Sequence, residues 1–301
     1  MAIVSYECRE LLRSCLDSLR VHGPSGGLQI CVVDNASADG TAEMVRSGFP
    51  EVDLVAAEEN LGFAKATNIA FARARECEYV LALNPDTQLV GALDRLLGLM
   101  DERGDIGICG CRLELEDGTL DHAAKRSFPT PVGALGHFTG LGRRRGAAGR
   151  LAAYRAPTVE SGPVDAVNGA FMLIRRRALD EVGAFDEGFW MYMEDLDLCY
   201  RFAEAGWVTW YEPSVTVFHV KHGSSGRDRS PRLNYAFHYG MYRFYRKHYA
   251  PEHNPVMNLA VYTGIGVKLG MSLARSGIAR RLRSVPPGRA AAEPVAQAVK
   301  D

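Results

Sequence analysis

The sequence lacks the signatures of several protein classes. Its seven cysteines include no Cys-x-x-Cys pair, which argues against a zinc ribbon or a thioredoxin-like site. It has no run of 18 uncharged apolar residues, because the nearest stretch, 256–273, contains Asn258 and Lys268. The scattered cysteines are typical of a reducing compartment, and the first predicted strand begins almost at Met1. We therefore expect a cytoplasmic protein without a signal peptide.

Net charge is also small, at −1, but it is divided unevenly along the chain. Residues 1–218 contain 21 Lys and Arg against 32 Asp and Glu, a charge of −11, and residues 219–301 carry +10. An acidic body argues against a protein that binds nucleic acid through one basic face, so no nucleic-acid partner is predicted. The basic C-terminal region permits contact with an anionic membrane surface.

The first 110 residues alternate short apolar segments with amphipathic ones. Strands are predicted at 2–5, 28–33, 52–56, 79–83 and from 106, with helices at 10–20, 41–47, 64–75 and 89–102. This alternation predicts an α/β fold with a mostly parallel central sheet flanked by helices. Ligands of such sheets collect at the carboxyl ends of the strands, where Asp34 and Asp86 lie.

The pattern changes in the second half of the chain. Residues 126–163 are rich in Gly, Pro and Arg, which predicts a long loop. The remaining predicted elements are strands at 164–175 and 208–218 (interrupted at Pro213), a helix at 194–205, an aromatic and basic segment at 233–249, an apolar helix at 256–276 and a frayed tail at 286–301.

Two strand ends carry carboxylates suited to ligand binding. Asp34, in Val-Val-Asp-Asn-Ala-Ser-Ala-Asp-Gly-Thr (32–41), can accept hydrogen bonds from a nucleobase or a ribose, or it can merely cap the next helix. Asp86, in Asn-Pro-Asp (84–86), can hold a divalent cation bound to phosphate oxygens. Alternatively, that triplet is simply a turn.

Two further motifs supply acids and an imidazole. Glu194, Asp195 and Asp197 lie at a predicted helix start that follows several aromatic residues. A partly desolvated carboxylate there can act as a general base, although acids in a first turn also suit the helix dipole. His219 precedes a polar loop and can complete a metal site made of oxygens, although a lone histidine is more often a packed or solvated residue.

In this order, the motifs resemble those of the family 2 glycosyltransferases, which have the GT-A fold, over roughly residues 1–250. The matching segments are 33–37, 39–41, 59–64 with Asn68, 84–86, 169–176 and 194–195. The run Met-Tyr-Met-Glu-Asp-Leu-Asp-Leu (191–198), together with His219 and Ser-Ser-Gly-Arg (224–227), resembles the rhamnosyltransferase-like branch. Two departures are Ser5-Tyr6-Glu7, where the family usually has Thr-Tyr-Asn, and Asn84, which replaces the first acid of the metal motif.

The resemblance implies a nucleotide-diphospho-sugar transferase (GT-A) fold with a C-terminal helical extension, and inverting transfer of a sugar. The resemblance to the rhamnosyltransferase-like branch implies that the sugar is L-rhamnose from dTDP-rhamnose. It further implies that the acceptor is a hydroxyl of a glycan or a polyprenyl-diphosphate-linked molecule in cell-wall or polysaccharide biosynthesis. The resemblance also implies roles for single residues: Asp195 is the general base, Glu194 orients it or the acceptor, and Asp86 and His219 bind Mg²⁺ or Mn²⁺. The implied nucleotide-binding residues are Ser5, Tyr6, Asp34, Asn35, Asn60, Gly62, Asn84 and Asp86. The implied acceptor residues are Gly169, Ala170 and Trp190.

The same resemblance divides the chain into three parts. Residues 1–230 are the predicted catalytic domain, with a nucleotide-sugar half at about 1–115 and an acceptor half at about 116–230. Residues 231–285 form aromatic and basic helices, and 286–301 form a disordered tail. Aromatic rings among basic side chains suit a bilayer interface, which would place the protein peripherally at the inner face of the plasma membrane, but such helices also pack on catalytic domains.

Two other functions are consistent with this architecture. A nucleotidyltransferase normally has a glycine-rich loop after the first strand, and residues 5–13 contain no glycine. A non-catalytic nucleotide-sugar or lipid-binding module would keep Asp34 but would not need Glu194, Asp195 and His219 together. The sequence therefore favours the transferase over both.

Overall fold

The fold is described from a computed structural model, which covers residues 1–74, 76–129, 159–220 and 230–283. Three predicted features lie outside these residues: most of the long loop (130–158), the polar loop that contains Ser224–Arg227 (221–229), and the tail (286–301).

Four parallel strands form the first half of the central sheet. Strand β1 (Ala2–Ser5) lies between β2 (Cys31–Asp34) and β4 (Tyr79–Leu83), and β3 (Asp53–Ala56) pairs with β2. Nearly every residue of β1, β2 and β4 is buried, as expected for strands covered on both faces. The connecting helices are α1 (Arg9–His22), α2 (Thr41–Gly48) and α3 (Phe63–Arg73).

The second half of the sheet mixes directions. Strand β10 (Phe171–Arg175) runs antiparallel between β4 and β6 (Ile106–Glu114), and β11 (Val208–His219) lies parallel to β6. The strand order is β3-β2-β1-β4-β10-β6-β11-β5. The remaining strands are β5 (Thr87–Leu89) and β8 (Gly162–Pro163), which pair with β11, and β7 (Lys125–Arg126) with β9 (Ala166–Val167), which form a separate ribbon.

Several element boundaries differ from the sequence-based prediction. The helix predicted from residue 89 is α4 (Asp94–Glu102), because residues 87–89 pair with β11 instead. The strand predicted at 164–175 is divided between β9 and β10, and a helix that was not predicted, α5 (Arg176–Val182), follows. Pro213 does not interrupt β11, since a register shift between Glu212 and Thr216 accommodates it.

Alternate residues of the central strands supply two cores, one on each face of the sheet. Ile3 and Val32 belong to the first, and Val4 and Val33 belong to the second. The second core also contains Phe244 from the C-terminal helix α7 (Pro231–His248), and helix α6 (Glu194–Glu204) packs there as well. Helix α7 is therefore part of the packed body of the protein.

The last helix, α8 (Pro255–Arg283), is much less buried. It contacts α7 through a small cluster of Tyr245, Val261 and Ile265, and Asn234 exchanges hydrogen bonds with Ser272 and Ser276. Among the described residues, one stretch is long and apolar enough to cross a membrane, and it is the 22-residue segment Pro255–Ser276 of this helix. Only 11 % of that segment is buried.

Candidate active site

The carboxyl ends of β1, β2 and β4 bring the predicted nucleotide-binding residues to one edge of the sheet. Ser5 and Asp34 are register partners at the ends of β1 and β2, and the Asn35 N–H donates to the Ser5 carbonyl at 2.8 Å. Asn84 and Asp86 follow β4, and Tyr6, just after Ser5, is 45 % exposed. Ser5 is fully buried, with its hydroxyl 3.2 Å from the Cys8 thiol.

Asp34 is buried and does not cap the following helix. Its two oxygens accept hydrogen bonds from the Ser37 hydroxyl (2.5 Å) and the Ser37 N–H (3.3 Å). The first turn of α2 is bound instead by Asp39, which accepts from the Thr41 N–H at 3.1 Å. Burial raises the pKa of Asp34, and the bonds from Ser37 oppose the rise. The helix-cap interpretation therefore fails, and Asp34 stays a ligand candidate.

Asn35 holds the loop that precedes α3. Its amide donates to the Gly62 carbonyl at 3.1 Å and accepts from the Leu61 N–H at 3.3 Å. The Asn60 side chain accepts from the Gly62 N–H at 3.0 Å. Gly62 has φ +83°, and a Cβ there would lie 2.3 Å from the Trp190 carbonyl oxygen, so both its conformation and this contact require glycine.

Trp190 connects the loop at 60–62 to the predicted acceptor half of the chain. Its carbonyl accepts from the Phe63 N–H at 2.8 Å, and its indole N–H lies 3.5 Å from the Asn60 carbonyl. The Arg232 guanidinium, from α7, stands over the indole at 4.1 Å from the ring centre. Trp190, a predicted acceptor residue, thus lies between the loop at 60–62 and helix α7.

Asp86 and His219 come together as predicted, because β11 and β5 pair with His219 opposite Thr87. His219 Nε2 lies 3.6 Å from Asp86 Oδ1, and His219 Nδ1 lies 3.0 Å from Asp121 Oδ2. Burial alone would lower the pKa of His219, but its hydrogen bond with Asp121 and the nearby Asp86 carboxylate raise that pKa to about 9. Asp121 was not predicted, since nothing in its local sequence distinguishes it.

The predicted acid pair begins helix α6. Asp195 Oδ2 accepts from the Gly169 N–H at 3.0 Å and from the Arg126 guanidinium, and Oδ1 accepts from the Leu196 N–H at 2.8 Å. Glu194 is buried, and Oε2 of its carboxyl has no hydrogen-bond partner among the described residues. Burial and the adjacent Asp195 charge raise the pKa of Glu194 well above its usual range.

Two short connections join these groups into one site. The Asn84 N–H donates to the Ala170 carbonyl at 3.0 Å, which ties the end of β4 to the Gly169-Ala170 turn under Asp195. Gly169 also packs close to Phe63, the residue after Gly62. A Cβ on Gly169 would be in van der Waals contact with the Phe63 ring, at 3.8 Å. The structure thus brings the predicted nucleotide, metal, acceptor and acid residues to one edge of the sheet.

The turn before α6 is strained and is supported by α7. Tyr192 and Met193 have φ values of +71° and +73°, which are unfavourable for side chains of this size. Gly240 of α7 packs against this turn so closely that a Cβ would lie 2.7 Å from the Tyr192 carbonyl oxygen. The sequence motifs did not indicate this role for α7.

A buried ion cluster fixes α6 to α7. Asp197, which is fully buried, lies 2.9 Å from Arg201 Nε, 2.7 Å from Lys247 Nζ and 2.8 Å from His248 Nε2. Burial alone would raise the pKa of Asp197, but the bonds from His248 and Lys247 lower it. Asp197 therefore serves packing, and much of the basic charge of α7 is paired inside the protein.

Similarity to known proteins identifies the family of this chain. The family model "Glycosyl transferase family 2" matches residues 1–183. An N-acetylglucosaminyl-diphospho-decaprenol L-rhamnosyltransferase of Mycobacterium tuberculosis is 33 % identical over 230 residues, which cover 72 % of this chain and 74 % of that protein. The rhamnosyltransferase WbbL of Escherichia coli is 31 % identical over 170 residues, covering 54 % and 61 %.

A solved structure supports the fold. The mannosyltransferase PcManGT of Pyrobaculum calidifontis, in complex with GDP-Man and Mn²⁺, superposes with a TM-score of 0.54 at 15 % identity, covering 95 % of this chain and 75 % of that one. The predicted GT-A fold and glycosyltransferase activity are thereby confirmed. Because the family model spans more than half of the chain and the mycobacterial relative aligns over most of both proteins, this chain belongs to glycosyl transferase family 2.

Proposed function

We propose that this glycosyltransferase moves L-rhamnose from dTDP-rhamnose, with inversion, to a hydroxyl of a polyprenyl-diphosphate-linked glycan in cell-wall or polysaccharide biosynthesis. The observation that carries the proposal is the tie between Asn84 and Ala170, which places the Asp86–His219 pair and the Gly169–Asp195 pair at the same sheet edge. The choice of sugar and acceptor rests on the similarity to the rhamnosyltransferases of Mycobacterium tuberculosis and Escherichia coli.

The donor would bind along the ends of β1, β2 and β4. Asp34 would accept hydrogen bonds from the base or the ribose, and Ser5, Tyr6 and Asn84 would line the path to the diphosphate. The loop formed by Asn60 and Gly62, which Asn35 holds in place, would close one side of this path. The edge position agrees with the general location of ligands in parallel sheets.

Asp86 and His219 would hold Mg²⁺ or Mn²⁺. Their facing atoms are 3.6 Å apart and both side chains are buried, which suits two ligands of one divalent cation. No group of three or more acidic, His or Cys side chains arranged to hold a metal occurs within the described ranges, so diphosphate oxygens would supply further ligands. When bound, the cation would neutralise charge on the departing diphosphate.

Asp195 would accept the proton of the acceptor hydroxyl. The bonds from Gly169 and Arg126 hold its carboxylate in one orientation, which a general base needs. Glu194, whose Oε2 has no partner in the described part of the chain, would orient the acceptor or the base. Trp190, Gly169 and Ala170 would line the acceptor side.

A lipid-linked acceptor would also explain the exposed apolar surface of α8. Its exposed side chains include Val256 (79 % exposed), Leu259 (67 %) and Val267 (56 %), a composition more typical of a helix in contact with lipid than with water. Contact of α8 with an anionic bilayer would hold the site at the surface where such an acceptor lies. This contact would make the enzyme a peripheral protein of the inner face of the plasma membrane.

A thermal-shift measurement with nucleotide sugars tests the donor and the metal together. We expect dTDP-rhamnose with Mn²⁺ to raise the Tm more than UDP-GlcNAc or GDP-mannose does. A ligand at about 100 times its Kd adds about 2.7 kcal/mol of stability, which corresponds to several degrees. In Asp86→Ala the increment due to Mn²⁺ should disappear while that of dTDP alone remains. A larger shift with another sugar nucleotide would contradict the rhamnose assignment, and an Mn²⁺ increment that persists in Asp86→Ala would contradict the metal site.

Flotation with liposomes tests the membrane contact. The full chain should float with vesicles that contain anionic lipid, and a chain that ends at His253, which keeps α7 and lacks α8, should stay in the dense fractions. Because α7 packs in the protein body, the shorter chain should remain folded, as circular dichroism can verify. A Leu259→Glu, Val267→Glu variant of the full chain should float poorly. Equal flotation of all three would exclude a membrane role for α8.

A further inference from the structure

The imidazole of His219 lies between two buried carboxylates. Asp121 Oδ2 is 3.0 Å from Nδ1 and Asp86 Oδ1 is 3.6 Å from Nε2. The three side chains belong to residues that are between 1 % and 8 % exposed, so water has little access to these contacts. Each ring nitrogen therefore faces a different carboxylate. The contact of Nδ1 with Asp121 is of hydrogen-bond length, whereas that of Nε2 with Asp86 is longer.

The fold directs the Asp121 carboxylate at His219. After β6, Leu120 forms a bridge with Glu114, and the Asp121 N–H donates to the Leu113 carbonyl at 2.8 Å. The carboxylate oxygen Oδ1 accepts from the Ala123 N–H at 3.0 Å, which leaves Oδ2 facing the imidazole. Since β6 and β11 are adjacent parallel strands, this turn returns to the end of β11 where His219 lies.

We propose that Asp121 is a positioning residue that fixes the tautomer and the orientation of His219 for cation binding. A carboxylate accepts, so Oδ2 takes the hydrogen bond from Nδ1–H, and in the neutral ring the lone pair then belongs to Nε2. That lone pair faces Asp86 Oδ1, where one divalent cation would be shared by the two atoms. The inference rests on the proposed metal site and adds to it the residue that orients one of its ligands.

The proposal differs measurably from a purely structural role for Asp121. A carboxylate that only closed its own turn would contribute to stability and leave the affinity for metal unchanged. A carboxylate behind a ligating histidine is typically worth about 10- to 100-fold in metal affinity, because without it the ring rotates and the other tautomer competes. Excess metal should therefore restore the activity of a variant that lacks this carboxylate.

The test uses the full chain with Asp121→Ala and, as matched control, Asp117→Ala. Asp117 lies in the preceding turn, is exposed and accepts from the Thr119 N–H at 3.0 Å. Mn²⁺ binding in the presence of saturating dTDP is followed by the electron paramagnetic resonance signal of free Mn²⁺. We expect about 10- to 100-fold weaker binding for Asp121→Ala, a matching rise in the Mn²⁺ concentration for half-maximal transfer, and recovery of kcat at high Mn²⁺. Asp117→Ala should behave as wild type.

Three results would overturn the proposal, and they are distinguishable. Wild-type affinity in folded Asp121→Ala removes the role of Asp121 and leaves the metal site intact. Low activity that excess Mn²⁺ does not restore assigns Asp121 to the fold alone. Absence of Mn²⁺ binding in wild type removes the metal site as well. If Asp121→Ala fails to fold, the same measurement is made on Asp121→Asn. That variant keeps the shape of the side chain but has a weaker hydrogen-bond acceptor, so the expected loss of affinity is smaller.

Discussion

Replacement of Asp195 with Asn should lower kcat by about 10²- to 10⁴-fold, which is the usual contribution of a general base. An amide cannot accept the proton of the acceptor hydroxyl, but its oxygen can still accept the Gly169 N–H, so the turn under the site should keep its shape. The affinity for dTDP, measured by calorimetry, should stay nearly unchanged because Asp34 and the loop held by Asn35 are untouched.

Glu194→Gln is the comparison for this variant. The two acids are adjacent and both are buried, and the Asp195 carboxylate is held in position by its ion pair with Arg126. We therefore expect Glu194→Gln to retain more kcat than Asp195→Asn and to change KM for the acceptor. A larger loss of kcat in Glu194→Gln would exchange the two roles. Loss of dTDP binding in Asp195→Asn would remove Asp195 from the position of base altogether.

The residues that the sequence could predict are those whose role follows from a local pattern. Asp34 and Asp86 end apolar strands, and parallel strands bring such ends together. Glu194 and Asp195 stand at a helix start among aromatic residues, a pattern visible within ten positions. The parallel half of the sheet followed from the same local signal, the alternation of apolar segments with amphipathic ones.

The residues that escaped prediction act through contacts between distant parts of the chain. Asp121 meets His219 across 98 positions, and Arg126 meets Asp195 across 69. Neither has a distinctive neighbourhood in sequence, and Arg126 lies at the start of what reads as a glycine-rich loop. Such pairs form because distant strands lie next to one another in the fold. The pairing of β11 with β6 brings Asp121 to His219, and the β7–β9 ribbon brings Arg126 to Asp195, and neither pairing can be read from the local sequence.

The uneven distribution of charge has a partly internal explanation. Arg243 and Lys247 of α7 bind Asp186 at 2.7 and 2.8 Å, and Lys247 also reaches Asp197. Burial alone would raise the pKa of Asp186, but the hydrogen bonds from Lys247 and Arg243 lower it well below its usual range. The acidic body and the basic C-terminal region thus neutralise one another where α7 contacts Asp186 and α6. Helix α8, by contrast, keeps exposed apolar side chains such as Val256 and Leu259.

A chain that ends at residue 230 should fail to fold, whereas the chain that ends at His253 should fold and transfer sugar to a water-soluble acceptor. The shorter chain loses Phe244 from the second core, at about 3–5 kcal/mol, and it also loses the bonds of Asp197 with Lys247 and His248. Domains are stable by only about 5–15 kcal/mol in total, so loss of the whole α7 contact removes much of that stability and exposes the second core to water. Circular dichroism and thermal unfolding of the two chains provide the measurement.

Two glycine variants separate the support of the strained turn from general helix stability. Gly240→Ala places a Cβ 2.7 Å from the Tyr192 carbonyl oxygen, while Gly266→Ala in α8 meets nothing within 4 Å. Each exchange favours a helix by up to about 1 kcal/mol, so Gly266→Ala should raise the Tm slightly. Gly240→Ala should lower both the Tm and kcat, because the displaced Tyr192–Met193 turn carries Glu194 and Asp195 with it. Equal behaviour of the two variants, or a folded and active chain that ends at residue 230, would show that α7 does not hold the catalytic turn.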